Sequence, residues 1–293
     1  MYSKPRLKIF PLPKRLPIRR PTMTFIMGNK SLDGLVLFAD TLESGAVVKR
    51  YRQKLHAVNH SEWGVAWGVA GNAHIADKFS DKVKTIIRDS DETYDRLNTE
   101  LQVEQCLKWV RKQYSSPEDD IDVIFGIFGR PLYWEKNEPF LGRPELHLYR
   151  GDSLTACLSP VKDYCVAGMD VTLAAFFLET MRNPFLRMDE SIRLGVIVTA
   201  IMKKYASGVG GDTNAFVYRV GCTAWEPLLD QEIAAIEGDF PISAIEDNST
   251  QFWAHHPKAR NNDEINASEL EIKKSLQPIP PARSISRKLK RGK

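Results

Sequence analysis

The chain of 293 residues has few cysteines, and none of them lies in a pattern typical of a metal site or a disulfide framework. Cys106, Cys157, Cys165 and Cys222 are scattered, without a Cys-x-x-Cys pair and without histidines at ligand spacing. A disulfide scaffold and a zinc site are therefore not expected. Unpaired cysteines favour a reducing compartment, and we predict a cytoplasmic location.

Long hydrophobic runs and phosphate-binding loops are also missing. The longest apolar segments, such as 35–39 and 195–202, are much shorter than the ~20 residues that cross a bilayer. The glycine-rich stretch 208–211 is not followed by the Gly-Lys-Ser/Thr that completes a phosphate loop. No membrane association and no cofactor or metal ion are expected.

Acidic residues are absent from both ends of the chain. Residues 1–22 contain 7 lysines and arginines, residues 283–293 contain 6, and neither segment contains an acid. The remaining 28 basic side chains face 37 acidic ones, so residues 23–282 carry a net charge of about −9. Basic tails can bind nucleic acid. These tails are proline-rich and attached to an acidic body, which favours disorder and leaves a nucleic-acid-associated protein as the weaker alternative.

The pattern of apolar residues predicts strands first and helices second, twice over. Strands are expected at 24–28, 35–39, within 47–58 and at 63–69, with a hairpin turn at 29–34. Two helices follow, the first capped by Asn72 with Ile75, Phe79, Val83 and Ile86 on one face, and the second carrying Leu101, Leu107, Val110 and Tyr114.

The second half repeats this alternation. Strands are predicted at 123–128, 146–149, 164–167 and 215–220, helices at 171–181 and 188–206, and a short helix after residue 226. The order suits two antiparallel sheets placed face to face with helices outside.

Thr24 follows Met23 at the start of the first strand, and its surroundings fit an N-terminal nucleophile. A threonine hydroxyl is a weak nucleophile that needs a neighbouring base, and a free α-amine with a pKa near ~8 can be that base. Removal of Met23 would create both groups on one residue. Residues 1–23 are either a propeptide or an extension from too early a start codon, and we favour the second.

The spacing of Thr24, of Asp40 within Gly-Leu-Val-x-x-Ala-Asp-Thr, and of Lys54 within Tyr-Arg-Gln-Lys-Leu resembles the proteasome β-subunit family, especially its bacterial ancestral-β-subunit branch. The resemblance covers residues 24 to about 224. It implies an α+β fold, the four-layer αββα sandwich of N-terminal nucleophile hydrolases. It also implies a peptide or protein substrate and a homo-oligomer, either ring or helical, while no feature identifies a regulatory ATPase.

The resemblance assigns roles to single residues. It makes Thr24 the nucleophile, Lys54 the charge that activates it, and Asp40 the residue that orients Lys54, although a plain ion pair between Asp40 and Lys54 would give the same spacing. Gly71 is the candidate oxyanion donor, or merely a turn glycine. Val69 occupies the position that shapes the specificity pocket, where an apolar side chain favours apolar groups.

Two features depart from the family pattern. The family's serine in a Gly-Ser-Gly turn is replaced by Ala167, and the later Asp-x-x-Ser-Gly-Gly pattern has Ala206 and Val209 at its polar positions. Ser207 or Asp212 could substitute after a shift of the loop. The sequence thus predicts a threonine-type peptidase or another amidase, with an inactive structural subunit as the alternative. Residues 225–293 form a C-terminal extension, expected to be largely disordered after about 247.

Overall fold

The computed structural model describes residues 24–44, 49–90, 94–114, 116, 119–135, 138–181, 186–206 and 208–240. The expectations for residues 1–23, for 45–48 and for the tail from 241 onward lie outside these ranges.

Two antiparallel five-stranded sheets form the centre of the molecule. The strands are β1 (Phe25–Lys30), β2 (Gly34–Asp40), β3 (Leu42–Ser44), β4 (Lys49–Tyr51), β5 (Leu55–Asn59), β6 (Trp63–Gly71), β7 (Ile121–Gly129), β8 (Leu132–Glu135), β9 (Glu138–Leu141), β10 (Glu145–Asp152), β11 (Cys157–Val161), β12 (Tyr164–Gly168), β13 (Thr213–Arg219) and β14 (Glu226–Pro227). The first sheet has the order β12-β1-β2-β13-β14 and the second β11-β10-β7-β6-β5, and two further hairpins, β3-β4 and β8-β9, are attached to them.

The first hairpin forms where the turn residues predict it. The Ser31 N–H donates to the carbonyl of Gly34 (3.0 Å), and β1 pairs with β2 from Ile26 opposite Ala39 to Lys30 opposite Leu35. This register places Thr24, before β1, beside Asp40, the last residue of β2.

Alternation along the strands divides the core into two parts. Val65, Trp67 and Val69 of β6 belong to the cluster on the helix side of the second sheet. Ala66 and Ala70 belong to the cluster between the two sheets. Successive side chains of a strand point to opposite faces, so β6 packs against helices on one face and against the first sheet on the other.

Five helices complete this α+β fold within the described residues: α1 (Ala73–Arg88), α2 (Arg96–Gln113), α3 (Val171–Met181), α4 (Met188–Tyr205) and α5 (Asp230–Asp239). Helix α1 contacts β5 and β6 while α2 contacts α1 and β11; α3 contacts β12, and α4 contacts β1, β2 and β13. No helix of these ranges is long and apolar enough to cross a membrane.

Some sequence expectations need correction. Leu101 of α2 is exposed and does not face the hydrophobic core. In α1 the last fully buried residue is Ile87 rather than Ile86. Strands β3, β8, β9, β11 and β14 were not predicted. In the extension after residue 224, Trp225 is buried in the cluster between the sheets, and Ile233 of α5 is buried as well.

Candidate active site

Thr24 is held by its own carbonyl against the end of β12. The Met169 N–H donates to the Thr24 carbonyl oxygen (2.7 Å), and Thr24 is only 7% exposed. The approach requires a glycine at 168, whose φ is +98° and whose Cβ, if present, would lie 1.8 Å from that oxygen. The position of the residue is therefore fixed by the main chain, independently of its side chain.

Asp40 is completely buried at the end of β2 and accepts three hydrogen bonds. Its Oδ1 accepts from the Phe25 N–H (2.9 Å) and from Lys54 Nζ (2.7 Å), while Oδ2 accepts from the Gly210 N–H (3.0 Å). Burial raises the pKa of Asp40 above its ordinary value, and the Lys54 ammonium and the two N–H donors oppose that rise. We expect the donors to keep the carboxylate charged.

Lys54 precedes β5 and is 2% exposed. Its ammonium donates to Asp40 Oδ1 and to the carbonyl of Leu42 (2.5 Å). A buried ammonium is stabilised only by such partners. The Asp40 oxygen that binds Lys54 also binds the Phe25 N–H, one residue after Thr24. The structure thus brings Thr24, Asp40 and Lys54 together at one end of the first sheet.

Gly71 ends β6 with φ +126°, and a Cβ there would lie 2.4 Å from the carbonyl oxygen of Asp120. This crowding alone requires glycine, so both interpretations of Gly71 remain. The end of β6 does lie near the site. A Cβ added to Gly168, which would fall beside the Thr24 carbonyl, would be 3.2 Å from the Ala70 Cβ. Helix α1 begins directly beyond, capped by the Asn72 side chain, which accepts from the His74 N–H (3.1 Å).

Val69 is buried in the helix-side cluster together with Ile75 and Phe79. Among the residues considered for the second polar set, Ala167, Ala206 and Val209 are buried and carry no hydroxyl. Asp212 is exposed, and Ser207 lies outside the described residues. Among these candidates, therefore, none whose side chain is described supplies a buried hydroxyl in place of the family's serine at Ala167.

Several contacts of the site were not foreseen from the sequence. These are the Met169 N–H on Thr24, the Gly210 N–H on Asp40, and the contacts of Thr41 with Asp212. In the sequence, the glycine-rich stretch 208–211 does not complete a phosphate loop and matches only the glycine pair of the family's later Ser-Gly-Gly pattern. Its positive φ values, +90° at Gly208 and +73° at Gly211, reflect instead a tight loop against the end of β2.

All four cysteines of the chain are unpaired. Over the part of the chain that the structure describes, no group of three or more His, Cys, Asp or Glu side chains is placed to bind a metal ion.

Comparison with solved structures finds proteins of similar fold. Anbu (ancestral beta-subunit) from Yersinia bercovieri aligns with a TM-score of 0.60 at 13% identity, over 81% of this chain and 100% of that one. Anbu from Hyphomicrobium sp. strain MC1 aligns with a TM-score of 0.60 at 15% identity, over 80% and 99%. The chain has the Anbu fold.

A third structure, the helical assembly of the Anbu complex from Pseudomonas aeruginosa, aligns with a TM-score of 0.59 at 14% identity, over 88% of this chain and 99% of that chain. Identities this low establish the fold alone. No family model and no curated protein matches the sequence.

Proposed function

We propose that this protein is a proteasome-like N-terminal nucleophile hydrolase of the ancestral-β-subunit type, which cleaves amide bonds through an acyl-enzyme on Thr24. The observation that carries the proposal is the completely buried Asp40 carboxylate, which binds both the Lys54 ammonium (2.7 Å) and the Phe25 N–H (2.9 Å) next to Thr24. Burying a charge pair costs desolvation free energy. A role in activating Thr24 would explain why this pair is buried.

In this mechanism the chain begins at Thr24, so that its α-amine is free. The Thr24 hydroxyl attacks the substrate carbonyl carbon and passes its proton to the α-amine, while the Lys54 ammonium stabilises the developing negative charge. The resulting oxyanion is bound by the Gly71 N–H. The ammonium of Thr24 then protonates the leaving amine, and water hydrolyses the ester with the same amine as base. Val69 shapes an apolar specificity pocket.

The contacts of α1 and α2 with the second sheet and of α3 and α4 with the first support a four-layer αββα sandwich. The similarity to a helical assembly of the Anbu complex supports a homo-oligomer. The proposed substrate is a peptide or protein. Hydrolysis of a non-peptide amide by the same mechanism is the alternative. We retain residues 24–224 as the catalytic domain and the cytoplasm as its location.

The second candidate is a catalytically inactive assembly subunit of the same fold. It is favoured by one observation, the buried Ala167 in place of the family's serine. The Asp40–Lys54 pair would then be a structural tie between β2 and the segment before β5.

Covalent labelling separates the two candidates. We would prepare chains that begin at Thr24 and treat them with a peptide epoxyketone, whose ring-closing reaction consumes both a hydroxyl and an α-amine. Intact mass should show one adduct per chain for the parent protein and for Thr24→Ser, and none for Thr24→Ala or for a chain that retains residues 1–23. An unlabelled but folded parent protein would establish the inactive subunit.

A further inference from the structure

Thr41 directly follows Asp40 and joins the two segments that meet at the carboxylate. Its N–H donates to the Asp212 carbonyl (3.0 Å), and its Oγ1 accepts from the Asp212 N–H (2.7 Å). Its own carbonyl accepts from the Arg52 N–H (2.9 Å). Thr41 is buried. One residue thus contacts the loop before β13 and the segment before Lys54.

The side-chain contact takes the place of a missing ladder bond. β2 and β13 pair in antiparallel register as far as Asp40 opposite Thr213. Beyond that pair the Thr41 carbonyl turns to Arg52, so it does not receive the Asp212 N–H. The Thr41 hydroxyl supplies the acceptor instead, and a main-chain donor deprived of its acceptor in a partly buried place is costly.

The loop held in this way carries the Gly210 N–H that binds Asp40 Oδ2 (3.0 Å). The Gly210 carbonyl in turn accepts from the Leu42 N–H (2.9 Å). The fit leaves little freedom, because a Cβ on Gly211 would lie 2.4 Å from Thr41 Oγ1 and 2.8 Å from the Tyr51 ring. A shift of Asp212 would therefore move Gly210 away from the carboxylate.

We propose that Thr41 is a positioning residue for the Thr24 site: its hydroxyl fixes residues 208–212 so that the Gly210 N–H holds Asp40, which in turn holds the Lys54 ammonium. The inference rests on the proposed function. It assigns Thr41 no contact with substrate, so its loss should slow the chemical step and leave substrate binding largely unchanged.

The test compares Thr41→Val, which removes the hydroxyl at nearly constant shape, with Thr41→Ser, which keeps it. The matched control is Thr99→Val, the same change at a buried threonine of α2 whose hydroxyl donates to the Asp95 carbonyl (2.8 Å). On chains that begin at Thr24, the peptide epoxyketone gives an inactivation rate constant and an apparent inhibition constant separately. Amide hydrogen exchange of residues 208–212 reports the loop without any need for activity.

For Thr41→Val we expect the inactivation rate constant to fall by about tenfold to a hundredfold, because the Gly210 N–H would lose its hydrogen bond to the Asp40 carboxylate. The apparent inhibition constant should change less than about threefold, and exchange at 208–212 should accelerate about tenfold. Thr41→Ser and Thr99→Val should resemble the parent protein in both measurements.

Two results would overturn the inference alone. Either the parent protein is labelled and Thr41→Val is inactivated equally fast, or amide exchange at 208–212 is unchanged in that variant. A slow Thr41→Ser overturns it too, because the hydroxyl would then not be the group that matters. A parent protein that is never labelled overturns the proposed function, and the inference with it. If Thr41→Val does not fold, Thr41→Ser compared with Thr41→Ala at reduced temperature applies the same criteria.

Discussion

At Gly168 a hydrogen atom in place of a side chain lets the main chain pass against the Thr24 carbonyl. We expect Gly168→Ala to displace Thr24, since the added Cβ would lie 1.8 Å from that oxygen. The variant should lose epoxyketone labelling at least about tenfold and lose roughly 2 kcal/mol or more of unfolding free energy. Intact mass and urea denaturation measure the two effects.

Gly221→Ala is the matched control for this change. Gly221 has nearly the same backbone conformation, φ +103°, but its Cβ would have nothing within 4 Å. It therefore carries the conformational cost without the collision. Equal losses in the two variants would mean that strain at positive φ, rather than contact with Thr24, makes glycine necessary at 168.

The buried pair of Asp40 and Lys54 gives a second prediction at the residue scale. Asp40→Asn keeps the shape but leaves the Lys54 ammonium buried without a carboxylate, so we expect about 3 kcal/mol of destabilisation and loss of labelling. The control is Asp77→Asn, because the Asp77 carboxylate is 58% exposed and pairs with Arg52 at 3.0 Å. Exposed pairs contribute little, so that variant should lose less than about 1 kcal/mol. Comparable denaturation midpoints would contradict a special role for the buried pair.

Among the elements, α1 was the most predictable from sequence. Its apolar residues recur at helical spacing and Asn72 stands at its start, and both signals are local. Thr24, Asp40 and Lys54 were located through the spacing of motifs on neighbouring strands. The contacts of Met169 and Gly210 could not be found in this way, because strand register joins them to residues more than 140 positions away. Strands β8 and β9 escaped notice because each has only four residues, and β11 because the exposed Ser159 and Pro160 interrupt its apolar pattern.

The cap of α1 is testable directly. Asn72→Ala removes the acceptor of the His74 N–H, so we expect the unfolding free energy to fall by about 1 kcal/mol, while Asn72→Asp should retain most of the stability. Thermal or urea denaturation measures both variants. If Asn72→Asp loses as much as Asn72→Ala, the side chain matters for its second contact, with Asp119 (3.5 Å), rather than as a cap.

Packing of β5 against α1 gives a pH dependence. Burial, together with the charges of Lys84 and Arg52, lowers the pKa of His56 to about 4. Between pH 6.5 and 4 the unfolded chain binds a proton at His56 that the folded chain does not, so stability falls as pH falls through this window. His56→Gln should lose on the order of 1 kcal/mol less than the parent protein between pH 7 and 5. His74→Gln, at an exposed position, controls for the substitution, and identical acid sensitivity in all three proteins would refute the assignment.

For the whole molecule, the proposed activity leads us to expect a homo-oligomer, because a site of that kind open to solvent would cleave amide bonds indiscriminately. Two apolar helix faces are candidate contact surfaces by their sequence, one around Phe79 and one around Phe176-Phe177. Phe79 of α1 is completely buried and is not available for contact, whereas Phe176 of α3 is 62% exposed. Aromatic side chains are enriched at interfaces, so the face around Phe176 is the better candidate of the two.

We therefore expect light scattering after size-exclusion chromatography at micromolar concentration to give a mass well above that of the 33.3 kDa chain. Phe176→Asp should shift the particle toward smaller species, because a charge buried at an interface without a partner is costly. Leu154→Asp, at an exposed leucine in the turn before β11, is the control and should leave the particle unchanged. A closed ring forms when the rotation between neighbouring subunits brings the last subunit back to the first. When the rotation does not close, the subunits form a helix whose mass grows with concentration. A uniform, fully active monomer would contradict assembly, and an unaltered particle in Phe176→Asp would move the interface away from α3.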